Sequence, residues 1–179
     1  MIYSFLQNGD SAVTVQFKNE ISEEVNRRVT GLCNRIEAKH INGIIELVPT
    51  FASLTVFYDC TIISSKKLKK KIKSLINGGE CDVKSTAKVW NIPVCYDDEF
   101  ALDMKNVCSH TALEREEVIK LHTSKPYLIY MLGFLPGFAY LGGMDERLFT
   151  PRLKTPRLEI FEGAVGIGGE QTGIYPIAS

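Results

Sequence analysis

Neither sign of charge is in excess: 21 basic residues balance 21 acidic ones, for a formal net charge of +0. That balance excludes a polyanion such as nucleic acid held by bulk electrostatics. No window approaches the roughly 18–20 consecutive apolar residues of a membrane-spanning helix. The opening MIYSFLQNGD also lacks the basic and apolar regions of a secretion signal. The expectation is a cytoplasmic protein with no membrane partner. Cysteine is sparse: Cys33, Cys60, Cys81, Cys95 and Cys108 form no C-x-x-C pair. An odd, scattered set reads as reduced, mostly buried thiols. Histidine is scarcer still, and His110 and His122 in the second half, with no third ligand at recognisable spacing, exclude a metal site. The phosphate loop G-x-x-x-x-G-K-[ST] and the serine elbow G-x-S-x-G are missing. GIGGEQ from Gly166 departs from G-x-G-x-x-G because Gln171 stands where the last glycine belongs. The chain alone is therefore not equipped for ATP chemistry.

What is present suits one ordinary domain or two small ones: 179 residues, 45% of them hydrophobic. Tyr3 to Leu6 and Ala12 to Phe17 are short β-type runs around the turn signal Asn8-Gly9-Asp10. Ser22 then caps a helix whose Val25, Val29, Leu32, Cys33 and Ile36 fall at helical spacing, ending near Asn42-Gly43. Strands follow at Ile44 to Val48 and Ser53 to Tyr58, and a helix at Ser65 to Asn77 closed by Gly78-Gly79. Lys88 to Pro93 regains strand character. Without the first hairpin strand the order is β-α-β-β-α-β, the ferredoxin-like split βαβ with both helices on one face of an antiparallel sheet. Lys66, Lys67, Lys69, Lys70, Lys71 and Lys73 cover the outer face of the second helix, a solvated surface or a docking face for an acidic partner.

Composition changes after Trp90. Asp97 or Asp98 is expected to cap a helix over Glu99 to Val107, and Thr111 with Glu114 to form a capping box for another ending near His122. From Tyr127 the chain is organised by YLIYMLGFLPGFAYLGG, TPRLKTPRL and GAVGIGGEQTGIYP. Its glycines and prolines suit neither helix nor central strand, which predicts a long ordered loop rich in apolar side chains. Glycines bracketing Glu170-Gln171-Thr172 admit close approach of a ligand, unless they merely permit bulges and turns. Gln171, Thr172 and neighbouring amides then form an oxyanion-type cradle, with Phe138, Gly169 and Tyr175 as further contacts. Arg152 and Arg157 follow prolines in a five-residue echo and suit a carboxylate or phosphate; the plainer alternative is ion pairing with Asp145, Glu146 or Glu159. His122 is a general-base candidate if it is not simply structural.

The three C-terminal motifs, with GDSAVTVQF, IIELVPTFASLTVFYD and IPVCYDDEF upstream, resemble the allophanate hydrolase subunit 1 family over nearly the whole chain. That family includes the B-type component of 5-oxoprolinase, Kip-type inhibitors of a sporulation histidine kinase, and half of the carboxyltransferase domain of urea carboxylase. The resemblance implies an α+β protein: a ferredoxin-like domain over 1–87 and a cyclophilin-like β-barrel over 88–179, incomplete at its C-terminus. The family's barrel continues past GIYP, so unpaired strand edges and poor order or oligomer contacts are expected near Ser179. As activity it implies ATP-dependent opening of 5-oxoproline to glutamate, shared with subunits of the 5-oxoprolinase A and C (allophanate hydrolase subunit 2) types. A carboxyltransferase role, or a histidine kinase as partner, is the alternative.

Overall fold

The computed structural model describes residues 3–78 and 88–179, and the chain divides into two compact units, Met1–Thr86 and Ala87–Ser179. Gly79, Cys81 and the expected boundary at residue 87 lie outside the described residues.

The first unit has the order β1 (Ser4–Asn8), β2 (Ala12–Gln16), α1 (Glu23–Ala38), β3 (Ile44–Pro49), β4 (Ser53–Tyr58), α2 (Ser65–Asn77). Its sheet is antiparallel throughout, in the order β1-β2-β4-β3. Strand alternation explains the layering. Val13 and Val15 of β2 lie opposite Val56 and Leu54 of β4, and these inward residues meet Val29, Leu32 and Ile36 of α1 and Leu68 and Ile72 of α2 in one buried cluster. Each such aliphatic side chain contributes about 1.5–3 kcal/mol by leaving water. On the reverse face Thr14 and Thr55 pair through their hydroxyls at 2.8 Å.

The split βαβ is present, with β4 inserted between β2 and β3, but the fourth strand differs from expectation. Residues 88–93 form no strand; the edge beside β2 is taken by β1, whose hairpin partner is already there. A short hairpin connection closes that edge at an entropic cost lower by about 1 kcal/mol than a return from after α2. Ser22 occupies the N-cap of α1 without a side-chain cap bond, whereas Ser64 of α2 accepts from the Lys67 amide. Of the described cysteines only Cys33 is buried; Cys60 and Cys95 are exposed and Cys108 is intermediate, so the expected burial of thiols fails for most of them.

The second unit carries α3 (Met104–Thr111), α4 (Arg115–Thr123), β5 (Leu128–Leu132), β6 (Ala139–Gly142), a 3-10 turn (Glu146–Leu148), β7 (Val165–Gly168) and β8 (Gln171–Ile174). The expected helix from Glu99 begins instead at Met104, because Asp97 closes a separate turn through Phe100 and Ala101. The expected capping box is absent too: the Thr111 hydroxyl donates to the Val107 carbonyl inside α3, and Glu114 is the N-cap of α4. Two hairpins join side by side in the order β5-β6-β8-β7, an open antiparallel sheet rather than a closed barrel among the described residues.

Much of the predicted loop is thus strand. Glycine is tolerated here because aromatic rings lie on the backbone where a side chain would stand: Tyr130 over Gly142 and Phe138 over Gly173. The C-terminal end is tied rather than loose, since Ser179 and Ile160 exchange backbone hydrogen bonds of 2.7 and 2.9 Å.

Candidate functional site

Alternation along β8 decides which of the candidate residues can meet. Gln171, Gly173 and Tyr175 point to one face of the sheet; Thr172 points to the other. Register extends each face across the strands. Gly168 lies opposite Gln171, Gly166 and Tyr140 opposite Gly173, and Ile167 opposite Thr172.

The Thr172 face is covered by helix. Val118 and Leu121 of α4 pack with Met144, Leu148 and Ile167, and His122 reaches Thr172 in this interior, with 9% and 3% of their surfaces exposed. The Thr172 hydroxyl donates to the Gly166 carbonyl at 3.0 Å, so it accepts from His122 Nε2, 3.2 Å away. Nδ1 is then the acceptor for the Tyr96 hydroxyl at 2.6 Å, and the Tyr127 hydroxyl donates to the His122 carbonyl at 2.7 Å. One neutral tautomer satisfies every group. Arg115 anchors the Tyr96 end by bonding the Tyr96 carbonyl and Asp98. Burial raises the Tyr96 hydroxyl above its usual range and Tyr127 to about 12, the latter assisted by the charges of Tyr96 and Asp145. Neither tyrosine was identifiable from sequence, because isolated aromatics outside a periodic element carry no positional signal.

Burial also lowers the His122 imidazole below its ordinary value. The sign follows directly. Folding favours the neutral ring, so the unfolded chain takes up the proton first as pH falls below about 6.5. Stability is whole above that pH, declines toward the folded-state value and levels off below it, with a slope of at most about 1.4 kcal/mol per pH unit. His122→Gln is expected to lose about 1–3 kcal/mol at pH 7 and to flatten this slope, measured by denaturant unfolding at a series of pH values between 5 and 8. An unaltered slope would place the titration elsewhere.

The opposite face differs in character. Gly166, Gly168 and Gly173 form a glycine floor on which other side chains lie: the buried Phe138 ring rests on Gly173, Tyr175 lies over Gly166, and Phe138 stands edge-on to Tyr140 and Tyr175 with ring centres 4.9 Å away in both cases. Thr150 exchanges backbone bonds with Gly169 at the β7–β8 turn, which brings Arg152 over the same face; a side chain on Gly168 would start 3.2 Å from Arg152 Nε. None of the ion pairs among the described residues includes Arg152. Arg157 is committed to Asp103 at 2.6 Å, an ion pair not with any of the three acids expected. The sequence echo therefore yields one arginine on this face and one elsewhere. Gln171 Nε2 is buried and lacks a hydrogen-bond partner.

Three expectations need correction. Gln171 and Thr172 cannot aim at one oxygen, because they occupy opposite faces of a strand. Gly169 offers no free amide, because its N–H donates to the Thr150 carbonyl at 2.8 Å; its φ of 67° suits it to the hairpin turn instead. His122 is spent on a closed hydrogen-bond chain on the Thr172 side. Arg152, Gln171, Phe138 and Tyr175 remain together. The chemistry available on their face is a charge-assisted bond to a carboxylate or phosphate, an amide N–H for an oxygen, and an apolar wall for a ring.

Residues 3–179 match the family described as carboxyltransferase domain, subdomain C and D. The chain is 42% identical over 188 residues to the B subunit of 5-oxoprolinase from Bacillus subtilis (strain 168), a match covering 99% of this chain and 78% of the relative. Among solved structures, TTHA0988 aligns with a TM-score of 0.79 at 34% identity, over 94% of this chain and 33% of that one. The urea carboxylase of Kluyveromyces lactis aligns with a TM-score of 0.79 at 21% identity, over 99% of this chain and 18% of that one, a likeness of fold.

Proposed function

Since the chain belongs to the carboxyltransferase-domain family, subdomains C and D, we propose that it is one subunit of a 5-oxoprolinase-type hydrolase complex, opening 5-oxoproline to glutamate with partner subunits. Near-full-length identity to a protein named as the 5-oxoprolinase B subunit supports the reading. The partners would be subunits of the A and C types.

The observation that carries the site is the orphaned Gln171 amide on the face that carries the unpaired Arg152, which lies over Gly168, the cross-strand partner of Gln171. A buried donor without an acceptor costs about 1–3 kcal/mol, which a ligand oxygen would recover. In this reading Arg152 holds the substrate carboxylate bidentately, and Gln171 donates to the lactam oxygen as it gains charge. Phe138 and Tyr175 flank the ring. A lactam carbonyl is a poor electrophile, and ATP supplies its activation by phosphoryl transfer. One unpaired arginine and no phosphate loop do not fit a triphosphate held by this chain, so the nucleotide belongs to a partner subunit.

Full-length chain mixed with its A-type and C-type partners, ATP and 5-oxoproline is expected to release glutamate and ADP. Gln171→Ala in that mixture is expected to reduce kcat by about 100-fold. Absence of glutamate from the wild-type mixture would overturn the function, and undiminished turnover in the variant would remove Gln171 from the site.

A further inference from the structure

Two tight turns occupy the loop between β5 and β6. The second, Leu135-Pro136-Gly137-Phe138, is closed by the Phe138 amide donating to the Leu135 carbonyl at 3.0 Å, with a φ of 80° at Gly137. Proline then glycine is the type II pattern, and the residues suit it. The first does not suit its residue. The Leu135 amide donates to the Gly133 carbonyl at 2.8 Å, closing a three-residue turn on Phe134, whose φ is 66°. This is the γ-turn of the rare, strained hand, and a bulky aromatic is an outlier there. Elsewhere among the described residues of the unit positive φ falls to Gly137, Gly143, Gly163 and Gly169, and to Ala112 at the helix C-cap of α3.

Burial does not offset the strain, since the Phe134 side chain is 68% exposed. It is nevertheless held in one place, edge-on to Phe138 at 5.6 Å and to Tyr175 at 6.4 Å. Those rings lie on the glycine floor, so Phe134 stands at the rim of the face that carries Arg152 and Gln171. A strained residue that is exposed and fixed in orientation marks a ligand clamp.

We infer that Phe134 is a ligand-contact residue of this face, its ring covering the flat ring of a cyclic amide and selecting it over open-chain amides. The inference rests on the proposed function and goes beyond it in naming what discriminates the substrate. No covalent step is involved.

The test uses Phe134→Gly and Phe134→Leu in the full chain assembled with partner subunits. Glycine relieves the strained turn and removes the ring; leucine keeps the strain and removes only the aromatic face. Phe134→Gly is expected to melt at the wild-type temperature or a few degrees above it, while both variants raise KM for 5-oxoproline about tenfold. Glutamine, an open-chain amide, should bind wild type and variants equally weakly. A lowered melting temperature in Phe134→Gly with an unchanged KM would make Phe134 a packing residue and overturn the inference, leaving the proposed function intact. If the wild-type complex releases no glutamate, the function fails on its own. The inference is then decided by titrating the chain with 5-oxoproline and following the Phe134 ring signals by NMR: displacement supports the contact, and unmoved signals overturn it.

Discussion

Arg152→Ala is expected to lower 5-oxoproline turnover in the reconstituted complex by about 100-fold while leaving the melting temperature of the chain nearly unchanged. The magnitude follows from a charge-assisted bidentate bond, about 1.5–3 kcal/mol, with each 1.36 kcal/mol worth about tenfold in rate. The thermal neutrality follows from the side chain being exposed and outside the ion pairs of the described residues. Arg152→Lys keeps the charge but loses the planar fork, so about tenfold of the loss should persist. Arg157→Ala is the internal control, because its guanidinium already pairs with Asp103 near the surface. Exposed pairs contribute about 0–1 kcal/mol, and turnover should stay within about twofold of wild type. Kinetics of all three variants against 5-oxoproline separate the cases. If Arg157→Ala were the damaging change, the glycine-floored face would lose its anion anchor.

Gly142→Ala is expected to be the most damaging single methyl group in the second unit. A Cβ there would sit 2.6 Å from Tyr130 Cδ2 and closer still to Cε2. Tyr130 is the extra residue of the bulge between Ile129 and Met131, and its buried ring lies against the β6 backbone at Gly142. The ring cannot yield locally, so it must leave the interior or β5 must part from β6. We expect a loss of about 3 kcal/mol, at the upper end for overpacking. For a unit of this size that is a fall of about 10–20 °C in melting temperature, checked by calorimetry. The same substitution at Gly31, within α1 and with nothing within 4 Å of the new methyl, is expected to stabilise by about 0.5–1 kcal/mol. Two changes of identical chemistry thus take opposite signs from their surroundings.

The first unit was largely legible. Val25, Val29, Leu32 and Ile36 repeat at helical spacing and form the buried stripe of α1; Leu54, Val56 and Tyr58 alternate and form the inward face of β4. Local periodicity suffices there because each element has one side to hide. The second unit was less so. Its strands are short and glycine-bearing, and their burial comes from rings contributed by other segments, Tyr130 to Gly142 and Phe138 to Gly173, which no local pattern reports. The residues of the candidate site could be named, but not sorted. TPRLKTPRL reads as two equivalent arginines, yet one crosses the β7–β8 turn because Thr150 pairs with Gly169, and the other finds Asp103 at the start of α3.

By itself the sequence determined the class of the protein, the family it belongs to and which residue types bear chemistry, since these depend on composition, local spacing and motif identity. Only the tertiary structure decided that β1 fills the edge of the first sheet, that Gln171 and Thr172 face opposite ways, and that Phe134 is held in a strained, exposed turn. Those outcomes depend on register and on contacts between residues far apart in the chain, where one step along a strand exchanges interior for ligand-facing surface.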